Sequence, residues 1–170
     1  MVDLTSSLKE ALKSIRRPTV SSRTILLTLA LVAVFSIALS LRICPARYGY
    51  YLNEYDPYFD YYATNHLVEW VKPKGLAGFA EYFMWRDYSM WFPEGRNVAT
   101  SSQVGLHFAG AILYLIATEI FNIQMSLYDF LVILPVFLGA FTTLIMFLLV
   151  KRFAGAGGGL LAALFFATSP

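Results

Sequence analysis

The sequence predicts an all-α integral membrane protein, and three observations predict it. First, the chain is 58% apolar with only 14% charged residues and a mean hydropathy of +0.58. Soluble domains carry about 45–50% apolar and about 25% charged residues. Second, two charge-free apolar runs, 24–41 and 130–150, are long enough to cross a bilayer. Third, positive charge gathers before the first of them. Residues 1–24 carry five bases against two acids, and residues 43–102 carry seven acids against five bases. This distribution is a membrane-flanking cluster rather than the basic stripe of a nucleic-acid-binding domain, and it orients the N-terminus inside. Cys44 is the one cysteine, so no intrachain disulfide is possible.

Residues 1–23 read as a cytoplasmic tail. Leu8, Leu12 and Ile15 share a helical face among Lys9, Lys13, Arg16 and Arg17, and Pro18 ends that run. Residues 24–42 read as transmembrane helix 1. The uncharged run 24–41 rises about 27 Å, enough for the hydrocarbon core, and Arg23 and Arg42 bracket it. The long basic lead and the lack of a small-x-small cleavage site favour an uncleaved anchor over a signal peptide.

Residues 43–127 read as a large first external loop with surface helices. All three tryptophans and sixteen of the 28 aromatics lie within 43–102, and such rings favour the headgroup level. A helix is expected over about 57–71, with Asp56 as N-cap and Pro57 as its first residue. Phe59, Ala63, His66, Leu67 and Trp70 would line one face, and Lys72-Pro73-Lys74-Gly75 would end it. Residues 81–96 read as a loop with anchoring rings, turning at Pro93-Glu94-Gly95. The apolar stretch 104–121, interrupted by His107 and Glu119, reads as an external helix lying against or dipping into the membrane. Were it to span, Lys151 and Arg152 would fall outside, against the positive-inside bias. Transmembrane helix 2 then covers 128–150, a cytoplasmic turn 151–155, and the start of transmembrane helix 3 residues 156–170. Gly155 and Gly159 have the small-xxx-small spacing that lets helices approach closely.

The chemistry concentrates in Tyr50–Tyr62, thirteen residues with three carboxylates and seven aromatics. Glu54 and Asp56 stand two apart, and Asp60 lies one helical turn beyond Asp56. A carboxylate at a helix start is kept ionised by amide donors and the helix dipole. Hard oxygens at this spacing suit Mg²⁺ or Mn²⁺, which take one or two carboxylates with phosphates and water. A plain Asp-Pro helix start with solvated acids fits the same residues. His66, Arg86 and Arg96 are candidates for substrate binding, since a forked guanidinium suits phosphate. Packing for His66 and His107, and headgroup contact for the arginines, are the simpler readings. The sequence has no Gly-rich phosphate loop, Ser-His-Asp order or Cys/His zinc spacing.

At Glu54-Tyr55-Asp56-Pro57-Tyr58-Phe59 the sequence resembles the catalytic subunit of oligosaccharyltransferase, the STT3/AglB/PglB family, in its archaeal and eukaryotic form. That family carries a Glu/Asp-x-Asp element in the first external loop, shortly after the first transmembrane helix. Trp91-Phe92-Pro93-Glu94-Gly95-Arg96-Asn97 is similar to its Trp-Tyr-Pro-x-Gly-Arg-Asp stretch. Phe141-Thr142-Thr143, then Lys151-Arg152 and a Gly-rich helix start, also look like the family. The resemblance covers about residues 25–170. It implies a GT-C glycosyltransferase fold at the cell membrane. It also implies transfer of an oligosaccharide from a dolichyl phosphate or pyrophosphate carrier to an acceptor asparagine in an Asn-x-Ser/Thr polypeptide. Asp56 would bind Mn²⁺ or Mg²⁺ and contact the acceptor amide, with Glu54 as its motif neighbour.

The sequence departs from the pattern at Asp60-Tyr61-Tyr62, where Asn-Tyr-Arg is usual, and at Ser102-Gln103-Val104-Gly105, where Tyr-Pro-Gly is usual. The family's second acidic motif, later external glutamate motif and Trp-Trp-Asp-Tyr-Gly motif are absent. The chain therefore reads as the N-terminal part of such an enzyme, inactive alone. Two other readings stay open: a non-catalytic membrane assembly subunit, and another GT-C enzyme using a lipid-linked sugar.

Overall fold

The structure, a computed structural model, describes residues 21–52 and 54–169. The tail expected over 1–23 therefore lies, up to residue 20, outside the described residues, as does Pro170 in the expected third span. The described chain is almost wholly helical. It forms two layers, an apolar helical hairpin packed on the first helix and a smaller aromatic-rich helical layer built from the residues that lie between them in the sequence.

Helix α1 (Ser22–Ile43) starts where the Ser21 hydroxyl accepts from the Arg23 amide, and runs into a 3-10 turn over Cys44–Tyr48. Helix α6 (Leu127–Thr168) starts at Ser126, whose hydroxyl accepts from the Asp129 amide. Both are long and apolar enough to cross a membrane. A straight helix of α6's 42 residues would reach about 63 Å, twice the hydrocarbon thickness of about 30 Å. It is not straight. Gly155 takes φ 69 and ψ −176, outside helical space and readily adopted only by glycine. A Cβ on Gly159 would stand 2.9 Å from the Phe147 carbonyl oxygen, yet twelve residues of straight helix span about 18 Å. The chain doubles back at Gly155 into two antiparallel limbs.

Small residues make that packing close. Ala38 of α1 and Ala140, Ala163 and Ala167 of α6 are fully buried together with Phe147 and Val34. Their outer faces expose Leu26, Leu29, Val32, Phe141, Ile145, Leu148 and Phe165, a surface suited to lipid rather than water. Arg42 closes the outer end of the layer. Its guanidinium donates to the carbonyls of Ala38, Phe166, Ala167 and Ser169 at 3.1–3.3 Å. It thus satisfies the carbonyls that a helix C-terminus leaves open and complements its dipole.

Four helices and a small hairpin form the second layer. They are α2 (Tyr55–Lys74), α3 (Leu76–Met84), strands β1 (Arg86–Asp87) and β2 (Arg96–Asn97), α4 (Val98–Ser101) and α5 (Val104–Leu115), which continues as a π turn over Ile116–Ile120. The strands are antiparallel with Arg86 opposite Asn97 and Asp87 opposite Arg96. The core is Ala63, Leu67, Val68, Val71, Tyr82, Val98, Ala111 and Tyr114.

Three sequence expectations are corrected here. Asp56 is not the N-cap and Pro57 is not the first helical residue. Glu54 takes the cap position at φ 72, without a side-chain capping bond, and α2 begins at Tyr55. Proline is tolerated there because first-turn amides have no intrahelical acceptor. The buried face of α2 is rotated from the expected one. Thr64, Val68 and Val71 are buried with Ala63 and Leu67, whereas His66 stays half-exposed. Finally, residues 81–96 are not all loop. Tyr82 is fully buried in α3, a helix that Gly78 lets lie directly on the α2 backbone.

Candidate functional site

The site is built outward from the start of α2. The segment before it is tied to the apolar layer where the Leu52 amide donates to the Tyr128 hydroxyl at 3.2 Å. Tyr61 lies edge-on to the same Tyr128 ring, centroids 5.5 Å apart. Glu54 precedes the helix and Asp56 is its second residue. Both are exposed, and among the described residues neither takes part in a side-chain hydrogen bond or ion pair. Exposed tyrosines at 48, 50, 51, 55 and 58 surround them. Beside this run a cleft of about 320 Å³ opens between the 3-10 turn and α6, with Ile43, Val132, Ile133 and Val136 as walls and Tyr48 and Tyr51 at its edge.

Two carboxylates with unengaged oxygens at a helix start are hard donors of the kind that suits Mg²⁺ or Mn²⁺. The donor type fits. Among the described residues no three His, Cys, Asp or Glu side chains converge to hold an ion. The pair would fill only part of a coordination shell, with phosphate, water or further ligands taking the rest.

Asp60, one turn on, faces the core rather than solvent. Its side chain is 23% exposed, and its Oδ1 lies 2.8 Å from Nε2 of His107, which is 0% exposed. The His107 Nδ1 meets the Tyr82 hydroxyl. A carboxylate oxygen only accepts, so Nε2 carries the proton and Nδ1 accepts from Tyr82. Burial holds the His107 imidazole below its ordinary 6.5, opposed by the bond to Asp60. The contact is thus a hydrogen bond from a neutral ring, not an ion pair. Burial, and then the Asp60 charge, hold the Tyr82 phenol above 10.0, against the lowering effect of Ser102 and Arg96.

The other candidates lie elsewhere or are engaged. His66 is about 15 Å along α2 from Asp56, among the rings of Tyr62, Trp70 and Trp85 and 3.8 Å from Glu69. Arg86 donates to the Glu94 carbonyl at 2.8 Å. Arg96 donates to the hydroxyl and carbonyl of Ser101 at 2.9 and 2.8 Å and lies 4.0 Å over the Phe59 ring. Arg96 is therefore the one of these three that reaches the first turns of α2.

Sequence reasoning missed Asp87 altogether. It is 5% exposed and accepts from the Tyr62 hydroxyl and from the amide and hydroxyl of Ser89, at 2.6–2.8 Å. Burial pushes its carboxyl up, but the bonds from Ser89 and Tyr62 outweigh it and hold it below the ordinary 3.8. A folded-state value below the unfolded one means stability that is full above the unfolded value and lost as pH falls through the folded one. Thermal unfolding of the wild type below about pH 4 is expected to show an acid loss that Asp87→Asn lacks, the variant being less stable at pH 7. Parallel pH profiles for the two proteins would contradict this.

Residues 14–170 match the family model described as oligosaccharyl transferase STT3, N-terminal. The chain is 29% identical over 165 residues to a rice dolichyl-diphosphooligosaccharide–protein glycosyltransferase subunit STT3B, covering 96% of this chain and 22% of the relative. It is 30% identical over 157 residues to the Caenorhabditis elegans subunit stt-3, covering 89% and 20%. It is 28% identical over 169 residues to the Arabidopsis thaliana STT3B subunit, covering 99% and 22%. The chain spans about a fifth of the length of the curated relatives it matches.

Proposed function

The chain belongs to the oligosaccharyl transferase STT3 family, and on that premise we propose that it forms the acceptor-side, first-external-loop part of a multi-pass membrane oligosaccharyltransferase. The reaction is transfer of an oligosaccharide from a dolichyl phosphate or pyrophosphate carrier to an asparagine in an Asn-x-Ser/Thr polypeptide. The observation that carries the reading is Asp56, exposed and unengaged in the first turn of a 20-residue helix, in Glu54-Tyr55-Asp56, which resembles the family's Glu/Asp-x-Asp element.

An amide nitrogen is a weak nucleophile because its lone pair is shared with the carbonyl. A fixed carboxylate accepting from the amide N–H holds that nitrogen and favours charge developing on it in the transition state. Asp56 is assigned that contact, with Glu54 beside it. The two carboxylates would also hold Mn²⁺ or Mg²⁺, which when bound offsets charge on the departing lipid phosphate. The apolar-walled cleft beside Tyr48 and Tyr51 suits the first isoprene units of a polyprenyl carrier.

The topology belongs to the same reading. The N-terminus and Gly155 lie on the cytoplasmic side, the site lies outside, and α5 rests on the external face without crossing. Glu119 lies 3.7 Å from Lys72 at the end of α2, both side chains about half-exposed. A Cys44→Ser protein carrying Glu119→Cys is expected, in intact cells, to react at that cysteine with a membrane-impermeant maleimide from outside. Labelling only after permeabilisation would overturn the topology.

The reaction itself is tested in a polypeptide of full STT3 length that contains this segment. It is expected to move glycan from a lipid-linked oligosaccharide to a sequon peptide in Mn²⁺. No transfer to peptide, with the lipid-linked donor consumed on another acceptor, would favour a different lipid-linked-sugar enzyme.

A further inference from the structure

We propose that His107 is a positioning residue for Asp56: bridging Asp60 and Tyr82, it fixes the first two turns of α2 against α3 and α5. The inference rests on the reading of Asp56 given above and adds to it the residues that aim this carboxylate.

Among the described residues, no side chain caps helix α2. Glu54 occupies the cap position in a left-handed conformation and makes no capping bond. The first turn, Tyr55 to Tyr58, buries no residue. Reading along the helix, the first side chains fastened to the rest of the second layer are Phe59 and Asp60. Phe59 lies 4.0 Å beneath the Arg96 guanidinium and edge-on to the His107 ring at 5.8 Å. Asp60 accepts from His107 at 2.8 Å. Tyr128 of α6 holds the chain before the helix at Leu52; on the second-layer side, the direction in which Asp56 points is set one turn away, at a contact whose other half is a histidine on α5.

His107 suits this task. Its ring is buried, and its two nitrogens have separate partners on two different helices. Tyr82 donates to Nδ1, which leaves Nε2 as the donor and aims it at Asp60. Asp60, Tyr82 and Arg96 are the titratable and charged groups facing the ring from the elements packed on it. A leucine in its place would leave the Asp60 oxygen without its donor and let the first two turns of α2 rotate. Displacements of about 1 Å at a reacting group cost about 10²-fold in rate.

The experiment uses the full-length STT3 polypeptide containing this segment. His107→Leu is expected to lower kcat about 10²-fold while KM for donor and sequon peptide changes by less than about twofold. Hydrogen exchange of the amides of residues 59–63, which bond within the helix, is expected to rise at least about tenfold. His107→Gln, which carries an amide N–H toward the Nε2 position, is expected to restore kcat to within about tenfold of wild type. A His107→Leu enzyme with kcat within about threefold of wild type, or a Gln variant as impaired as the Leu one, would sink the proposal. If the Leu protein does not fold, Tyr82→Phe decides. It removes the bond to Nδ1 and keeps the ring, and should lower kcat about tenfold at constant KM; an unchanged kcat overturns the inference. Failure of the underlying reading looks different, namely a wild type that transfers nothing or an active Asp56→Asn enzyme.

Discussion

Asp56→Asn is expected to reduce glycan transfer by about 10³-fold or more, the largest functional effect of any single substitution in this chain. The change is nearly isosteric, and asparagine is well tolerated at a helix start, so α2 should form as before. What is lost is the negative charge. An asparagine oxygen can still accept from the acceptor amide, but it offers no ionic stabilisation to positive charge developing on nitrogen, and it is a poor ligand for a hard cation. Two measurements separate these roles. Single-turnover transfer to a sequon peptide reports the chemical step, and Mn²⁺ binding followed by electron paramagnetic resonance reports the ligand role without any turnover. Loss of transfer with Mn²⁺ affinity retained would leave Asp56 as the acceptor contact alone. Transfer within about tenfold of wild type would remove Asp56 from the mechanism. Glu54→Gln should have the smaller effect, since Glu54 precedes the helix whereas Asp56 lies within its first turn, nearer the positive end of the dipole.

Gly78→Ala is expected to be the most destabilising single-methyl change in the second layer. A Cβ there would stand 2.5 Å from the Trp70 carbonyl carbon, 2.6 Å from its oxygen and 2.6 Å from the Val71 nitrogen. These are backbone atoms of α2, so no side chain can swing aside, and α2 and α3 must move apart. Overpacking of this kind costs about 3 kcal/mol. The parting would also draw Tyr82 away from His107. Gly105→Ala is the control, because a Cβ on that helical glycine meets nothing within 4 Å and alanine favours helix by about 1 kcal/mol. Thermal unfolding in one detergent should lower the midpoint for Gly78→Ala by several degrees and leave or raise it for Gly105→Ala. Equal midpoints for the two variants would contradict the close approach of α2 and α3.

How much of this was legible in the sequence depends on whether the signal was local. Long apolar runs advertise themselves: α1 covers the run bracketed by Arg23 and Arg42, and in α6 Lys151 and Arg152 lie just before the Gly155 reversal that separates its two apolar limbs. Asp56-Pro57 marked a helix start to within two residues. It could not show that Glu54 would take the left-handed cap position, because that depends on how the preceding chain is tied to Tyr128. Helix α3 was missed because nine residues with three aromatics and a glycine read like an interfacial loop. Its helicity is decided by Gly78 packing on Trp70, a contact between elements. The buried network was illegible for the same reason. Asp60 and His107 are 47 residues apart and Tyr82 lies 25 from His107. The available clue was chemical: a histidine inside the apolar stretch 104–121 needs polar partners, and Asp60 stands where the resemblance leads one to expect asparagine. Asp87 gave no comparable hint, since its three donors come from a hairpin turn and from α2.

Arg42 also imposes an order of assembly. Three of its four carbonyl partners belong to Phe166, Ala167 and Ser169, so the clasp joins positions 124–127 residues apart. A ribosome adding about 5–20 residues per second needs roughly 6–25 seconds to make that length. During that interval the first helix has emerged but its outer end has no protein partner at these carbonyls, and the guanidinium must be satisfied by water or lipid phosphate. The clasp can close only after the reversal at Gly155 has brought the second limb of α6 back beside the first helix.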